Sequence, residues 1–334
     1  MKLNAIFTSH MVFAANKPIR IYGEGVGSGE VCFAGHCARV ESYNGKWFVE
    51  LPKMSYGGPY ELKFVADGKE MLLDDIYIGE VYLLSGQSNI QFKIRESRFP
   101  IEQCEANALM RVYGTECMQK VERFTPKDGW MRCSIDNVGE WSAIGYHMAH
   151  ELVKNKNIAI GVVNCYQGAS VIQSWMPKGA QERLGISIAP EELFETHNIE
   201  AFKIWNYDGA LYDYAFSQVV PFSFSGVVWY QGESNSSLAE AKVHEIQLEE
   251  LINIWRTDLM DASLPFVIVQ IANYSARDDE AWHMIQEAQM RVGNKMSNTK
   301  TVVSADVCED HTVHPKTKTI LSKRIADAIC ELVK

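Results

Sequence analysis

Val81-Tyr82-Leu83-Leu84-Ser85-Gly86-Gln87-Ser88-Asn89 is the clearest fold signal in the chain. A short, nearly unbroken apolar run meets a glycine and passes at once into polar residues. That is the pattern of a strand covered on both faces that turns sharply where it leaves its sheet. Similar apolar runs return at 158–165, 226–230, 266–271 and 301–305. Helix-length segments lie around 142–154, 239–257, 280–292 and 316–332; in the last, Ile320, Leu321, Ile325, Ala328, Ile329 and Leu332 recur at helical spacing. Strands alternating with helices predict an α/β protein built on a parallel five-stranded sheet. Residues 178–205 fit neither pattern and are expected to form a long loop over the site.

Before this region the rhythm is different. Residues 1–76 hold short alternating runs, Pro18-Ile-Arg-Ile-Tyr-Gly23 and Lys46-Trp-Phe-Val-Glu-Leu51 among them, separated by turn residues such as Asn44-Gly45 and Gly57-Gly58. They predict a small β-rich N-terminal domain ahead of a catalytic domain over 77–334.

Composition excludes several function classes. The chain of 334 residues is 47% hydrophobic, carries a net charge of −10 and has no basic stripe, which argues against a nucleic-acid or anionic-membrane partner. No apolar run reaches the length of a membrane span. The opening MKLNAIFTSHMVF lacks a signal-peptide pattern, so a cytoplasmic protein is expected. Of the eight cysteines, Cys104, Cys117, Cys133 and Cys165 show none of the paired short spacings of a zinc site, and free, mostly buried thiols are expected. His147 and His150 share a helix without a third ligand, so neither a metal nor another cofactor is expected. Oligomeric state is left open.

In an open parallel sheet ligands bind beyond the carboxyl ends of the strands, so the residues after each strand are the ones to read for chemistry. After the first comes Gly86-Gln87-Ser88-Asn89, after the second Gln167-Gly168-Ala169, after the third Gln231-Gly232-Glu233-Ser234-Asn235, and after the fifth a loop ending in His314-Pro315. A serine on a tight strand exit needs a base, because a neutral alcohol is a poor nucleophile. His314 can supply it, since an ordinary imidazole is neutral at physiological pH. Charge developing on an ester carbonyl must meet fixed donors, for which the N–H of Ser88, the N–H of Gly168 and the side-chain amide of Gln231 are candidates. Glu233 is read as a buried support of the site.

These blocks, with Trp229-Tyr230-Gln231-Gly232-Glu233-Ser234-Asn235 and with Lys318 and Arg324 after His314, resemble the sialate O-acetylesterase family, a branch of the SGNH hydrolases. His10-Met11-Val12, Gly45-Lys46-Trp47 and Gly79-Glu80-Val81 extend the likeness to the N-terminal region. The resemblance implies a flavodoxin-like three-layer fold, no metal, and removal of O-acetyl groups from sialic acids or related sugars. It implies Ser88 as nucleophile, His314 as base, and Gly168 with Gln231 in the oxyanion hole. Gln87, Asn89, Trp175 and Tyr230 are candidate contacts to the sugar. Two departures stand out. His311 occupies the position three before the base where many SGNH enzymes carry Asp, leaving either Asp310 or Glu309 to orient the imidazole, or a dyad steadied by a backbone carbonyl. Gln167-Gly168-Ala169 stands where relatives often carry Trp-Gly-Gly. Rival readings are an esterase for acetylated xylan or another glycan, and a non-catalytic carbohydrate-binding protein.

Overall fold

The computed structural model describes residues 1–118 and 123–333. Its frame is a sheet with strands in the order Met131–Cys133, Asn107–Gly114, Ile160–Tyr166, Lys69–Gly86, Gly226–Tyr230, Phe266–Val269 and Thr299–Val302. Along this path every pair is parallel except the Met131–Cys133 edge, which is antiparallel. The expected strands are present, the fifth shifted toward the N-terminus, and Asn107–Gly114 is a further parallel strand that the sequence does not announce. Arg111 interrupts its apolar run, yet the guanidinium is buried, donating to the carbonyls of His10 and Asp75 at 3.0 and 2.5 Å and covering the Tyr77 ring.

Successive strand residues face opposite layers, as pleating requires. Val81, Leu83, Val227 and Trp229 enter one apolar cluster with Leu248, Leu251 and Trp255 of helix His244–Asp258. Tyr82, Leu84, Val228 and Tyr230 enter another with helices Ala143–Lys156 and Thr319–Leu332. Leu321, Ile325, Ala328 and Ile329 form the buried stripe of the last helix, while Ile320 is 52% exposed and lies off it. Ser142 and Asp279 cap their helices by accepting from Gly145 and Trp282 N–H.

The N-terminal part is all β, as its alternation predicts. One sheet pairs Lys2–Leu3, Ile19–Glu24 and Lys46–Leu51; hairpins through Ser28–Phe33, His36–Glu41 and Gly57–Ala66 lead into Lys69–Gly86. Lys69–Gly86 then continues into the parallel sheet, so position 76/77 falls inside one strand, and Phe13 stacks on Phe222 across the join. Cys32 and Cys37 stand opposite each other in their hairpin, with Cα atoms 4.1 Å apart, and form a disulfide. This corrects the expectation that all eight thiols are free, because antiparallel register rather than sequence spacing brings the pair together. No helix among the described residues is long and apolar enough to cross a membrane.

Candidate active site

Gly86 leaves the sheet with φ +128°, and a Cβ there would stand 2.1 Å from the Tyr230 carbonyl oxygen. Only glycine meets both conditions. Gln87 N–H donates to that carbonyl at 3.0 Å and Gln167 N–H to Gly86 O at 3.1 Å, lacing three neighbouring strand exits together. Ser88 follows as the first residue of the short helix Ser88–Gln91, where a backbone N–H has no intrahelical acceptor.

His314 comes from the loop between Thr299–Val302 and Thr319–Leu332, and its Nε2 lies 2.7 Å from Ser88 Oγ. Thr312 Oγ1 accepts from the His314 N–H at 3.2 Å. The base of the loop is closed by Glu309, whose carboxylate accepts from Thr317 N–H and Oγ1 at 3.0 and 2.8 Å and pairs with Arg98 at 2.9 Å. Glu309 is therefore turned away from the imidazole. Asp310 meets Ser275 N–H through its main-chain carbonyl, and its carboxylate makes no hydrogen bond to His314 among the described residues. Neither acid orients the base, which corrects the expectation placed on Asp310. Burial holds the imidazole below its ordinary pKa, the Lys318 cation acts in the same direction, and Glu96 opposes them.

The pair stands in a cleft of about 1010 Å³ that is also lined by Gln87, Gly168 and Glu233. The Gly168 N–H makes no hydrogen bond among the described residues and is available to a ligand. Other expected contacts lie elsewhere. Gln231 is fully buried, and its amide N–H groups donate to Ser170 O and Asn235 Oδ1 at 3.0 and 2.7 Å, so they are committed behind the cleft wall. Trp175 is buried against Trp229 and Trp255 with its indole N–H on Ser170 Oγ. Tyr230 points into the layer beneath the sheet exit, and Asn89 is sealed between Glu233, Val313 and Lys318. Of the four candidate sugar contacts, Gln87 alone lines the cleft.

The aromatic lining comes from residues the sequence does not single out: Phe92, Phe194, Phe202, Tyr274 and Trp282. Phe194 and Phe202 belong to the segment expected to cover the site, and that unpatterned length is the one signal of their role. Buried Glu240 holds this segment down, accepting from Phe194 N–H and facing His197 Nε2, both at 2.8 Å. The Arg277 guanidinium lies 4.7 Å above the Phe194 ring. The inner wall carries Glu233, whose Oε1 accepts from Asn89 at 2.6 Å while Oε2 is buried without a partner among the described residues; burial raises its pKa.

A family model described as carbohydrate esterase, sialic acid-specific acetylesterase, matches residues 78–331. The chain belongs to that family. It is 24% identical to the sialate O-acetylesterase of Mus musculus and 22% identical to that of Homo sapiens, each alignment covering 86% of this chain. It spans less than two thirds of the length of these curated relatives, 63% and 60%. A crystal structure of a carbohydrate acetylesterase from Xanthomonas citri superimposes with a TM-score of 0.86 at 28% identity, over 99% of this chain and 75% of that one. The match includes the N-terminal β region, so this esterase shares the whole described frame and not the parallel sheet alone.

Proposed function

We propose that the protein is a serine carbohydrate esterase of the SGNH type, with a flavodoxin-like core, that removes O-acetyl groups from sialic acids through an acyl-enzyme. The observation that carries this reading is the 2.7 Å contact of Ser88 Oγ with His314 Nε2 at the wall of an aromatic-lined cleft. Ser88 Oγ attacks the acetyl carbonyl as His314 Nε2 takes its proton. The carbonyl oxygen, now negative, meets the N–H groups of Ser88 and Gly168. The C–O bond to the sugar then breaks, with the proton passing from His314 to the leaving oxygen. Water, deprotonated by the same imidazole, releases acetate and restores Ser88. With no carboxylate bonded to His314 among the described residues, the pair works as a dyad.

A second reading, an esterase for acetylated xylan or another neutral glycan, is favoured by the charges at the cleft. Arg95 already pairs with Glu140, and Arg277 with Asp279, so two of the cations that could meet a sialic acid carboxylate are engaged. Acetate release from O-acetylated sialic acid and from acetylated xylo-oligosaccharides, measured side by side, separates the two readings. Ser88→Ala should abolish both activities and the hydrolysis of an aryl acetate, by roughly 10⁶ in kcat. Retained turnover in that variant would end the proposal.

A further inference from the structure

Asn89 follows the nucleophile in the chain, Val313 precedes the base, and one side chain joins them. Asn89 Nδ2 donates to the Val313 carbonyl at 2.9 Å and to Glu233 Oε1 at 2.6 Å, while Asn89 Oδ1 accepts from Lys318 Nζ at 2.7 Å. Lys318 is 1% exposed, and its ammonium sits 5.3 and 5.5 Å from the ring centres of Phe92 and Tyr230. An ammonium carries three donors, and the bond to Asn89 is the side-chain hydrogen bond Lys318 makes among the described residues. Burying such a charge is costly, and packing alone does not ask for one, because methionine would fill the same space between the two rings. Meanwhile His314 Nδ1 meets no carboxylate among the described residues.

We infer that Lys318, acting through Asn89, is the positioning residue for His314: it ties the base's loop to the nucleophile's turn. Its ammonium also disfavours a second positive charge on the imidazole. This rests on the Ser88–His314 reading. The groups facing Lys318 are Glu233, Glu309, Cys308 and His314; those facing His314 are Lys318 and Glu96, with Lys316 on the cleft rim. Burial pushes Lys318 down to about 8, against the pull of Cys308, Glu233 and Glu309, so the cation is present throughout the acidic range in which His314 titrates. The arrangement gives up some basicity for a base that stays unprotonated in mildly acidic solution.

The test is the pH profile of kcat/KM for an aryl acetate in the parent protein, Lys318→Met and Lys318→Arg, with Ser88→Ala as the blank. With the cation gone the acid limb should move to higher pH; with the charge kept in Lys318→Arg it should stay with the parent. An acid limb at the parental position in folded Lys318→Met would overturn the inference while leaving the dyad intact, whereas full activity in Ser88→Ala would remove the dyad itself. Should Lys318→Met not fold, Asn89→Ala is the second probe. Cutting the tether should lower kcat about 10- to 100-fold with little change in KM, and a parental kcat there would equally overturn it.

Discussion

At Gly86 two demands coincide, a left-handed φ and 2.1 Å of space against the Tyr230 carbonyl. Gly86→Ala should therefore cost about 3 kcal/mol or more in stability, read from urea unfolding, and remove activity by displacing Ser88. A fully stable, active variant would contradict the tight exit. The imidazole at the other side of the pair has its own signature. Because burial and Lys318 lower the His314 pKa, the neutral base persists to lower pH than for an ordinary histidine, and the acid limb of kcat/KM should fall below the reference value of about 6.5. A limb above that reference would mean that a carboxylate holds His314 after all. Ser88 and His314 were legible because their motifs fix them in the chain at strand exits. Trp175 and Tyr230 were misplaced for a physical reason: an aromatic at a strand end, or in the turns that follow one, can face the cleft or pack inward, and composition does not distinguish the two. Gln231 was misplaced similarly, since its donors are consumed by Ser170 and Asn235, partners far from it in one case and local in the other.

Among the elements, the segment carrying Phe194 supplies aromatic lining to the cleft in which the proposed reading seats a sugar. Its grip depends on buried Glu240, which meets both Phe194 N–H and His197. Phe194→Ala should raise KM for an acetylated oligosaccharide roughly fivefold, the loss of one aromatic contact worth about 1 kcal/mol, while kcat/KM for a small aryl acetate changes little. An equal loss on both substrates would instead mean a general disturbance of the site. Strands such as Gly226–Tyr230, buried at every position, announced themselves as apolar runs. Strand Asn107–Gly114 did not, because its Arg111 is neutralised by Asp75 and two main-chain carbonyls that only the folded chain assembles. The covering segment gave length but no periodicity, so its aromatics could not be assigned to the cleft.

For the molecule as a whole, the acid side of stability is set partly by histidines that do not line the cleft. Burial lowers His147 and His244 from 6.5 to about 4, and neither ring nitrogen of His244 has a partner among the described residues. The unfolded chain takes up protons near 6.5 that the folded chain refuses until about 4, so stability falls as pH drops through that window and levels off below it. Each contributes on the order of 3 kcal/mol to that fall. His244→Leu should flatten the decline measured by urea unfolding between pH 7 and 4, and an unchanged slope would show that His244 is solvated. Reaction with an organophosphonate, followed by peptide mapping, reads whether Ser88 is a nucleophile activated by His314. The label should sit on Ser88, be absent in Ser88→Ala and form far more slowly in His314→Ala; no label, or a label on another residue, would rule Ser88 out as the nucleophile.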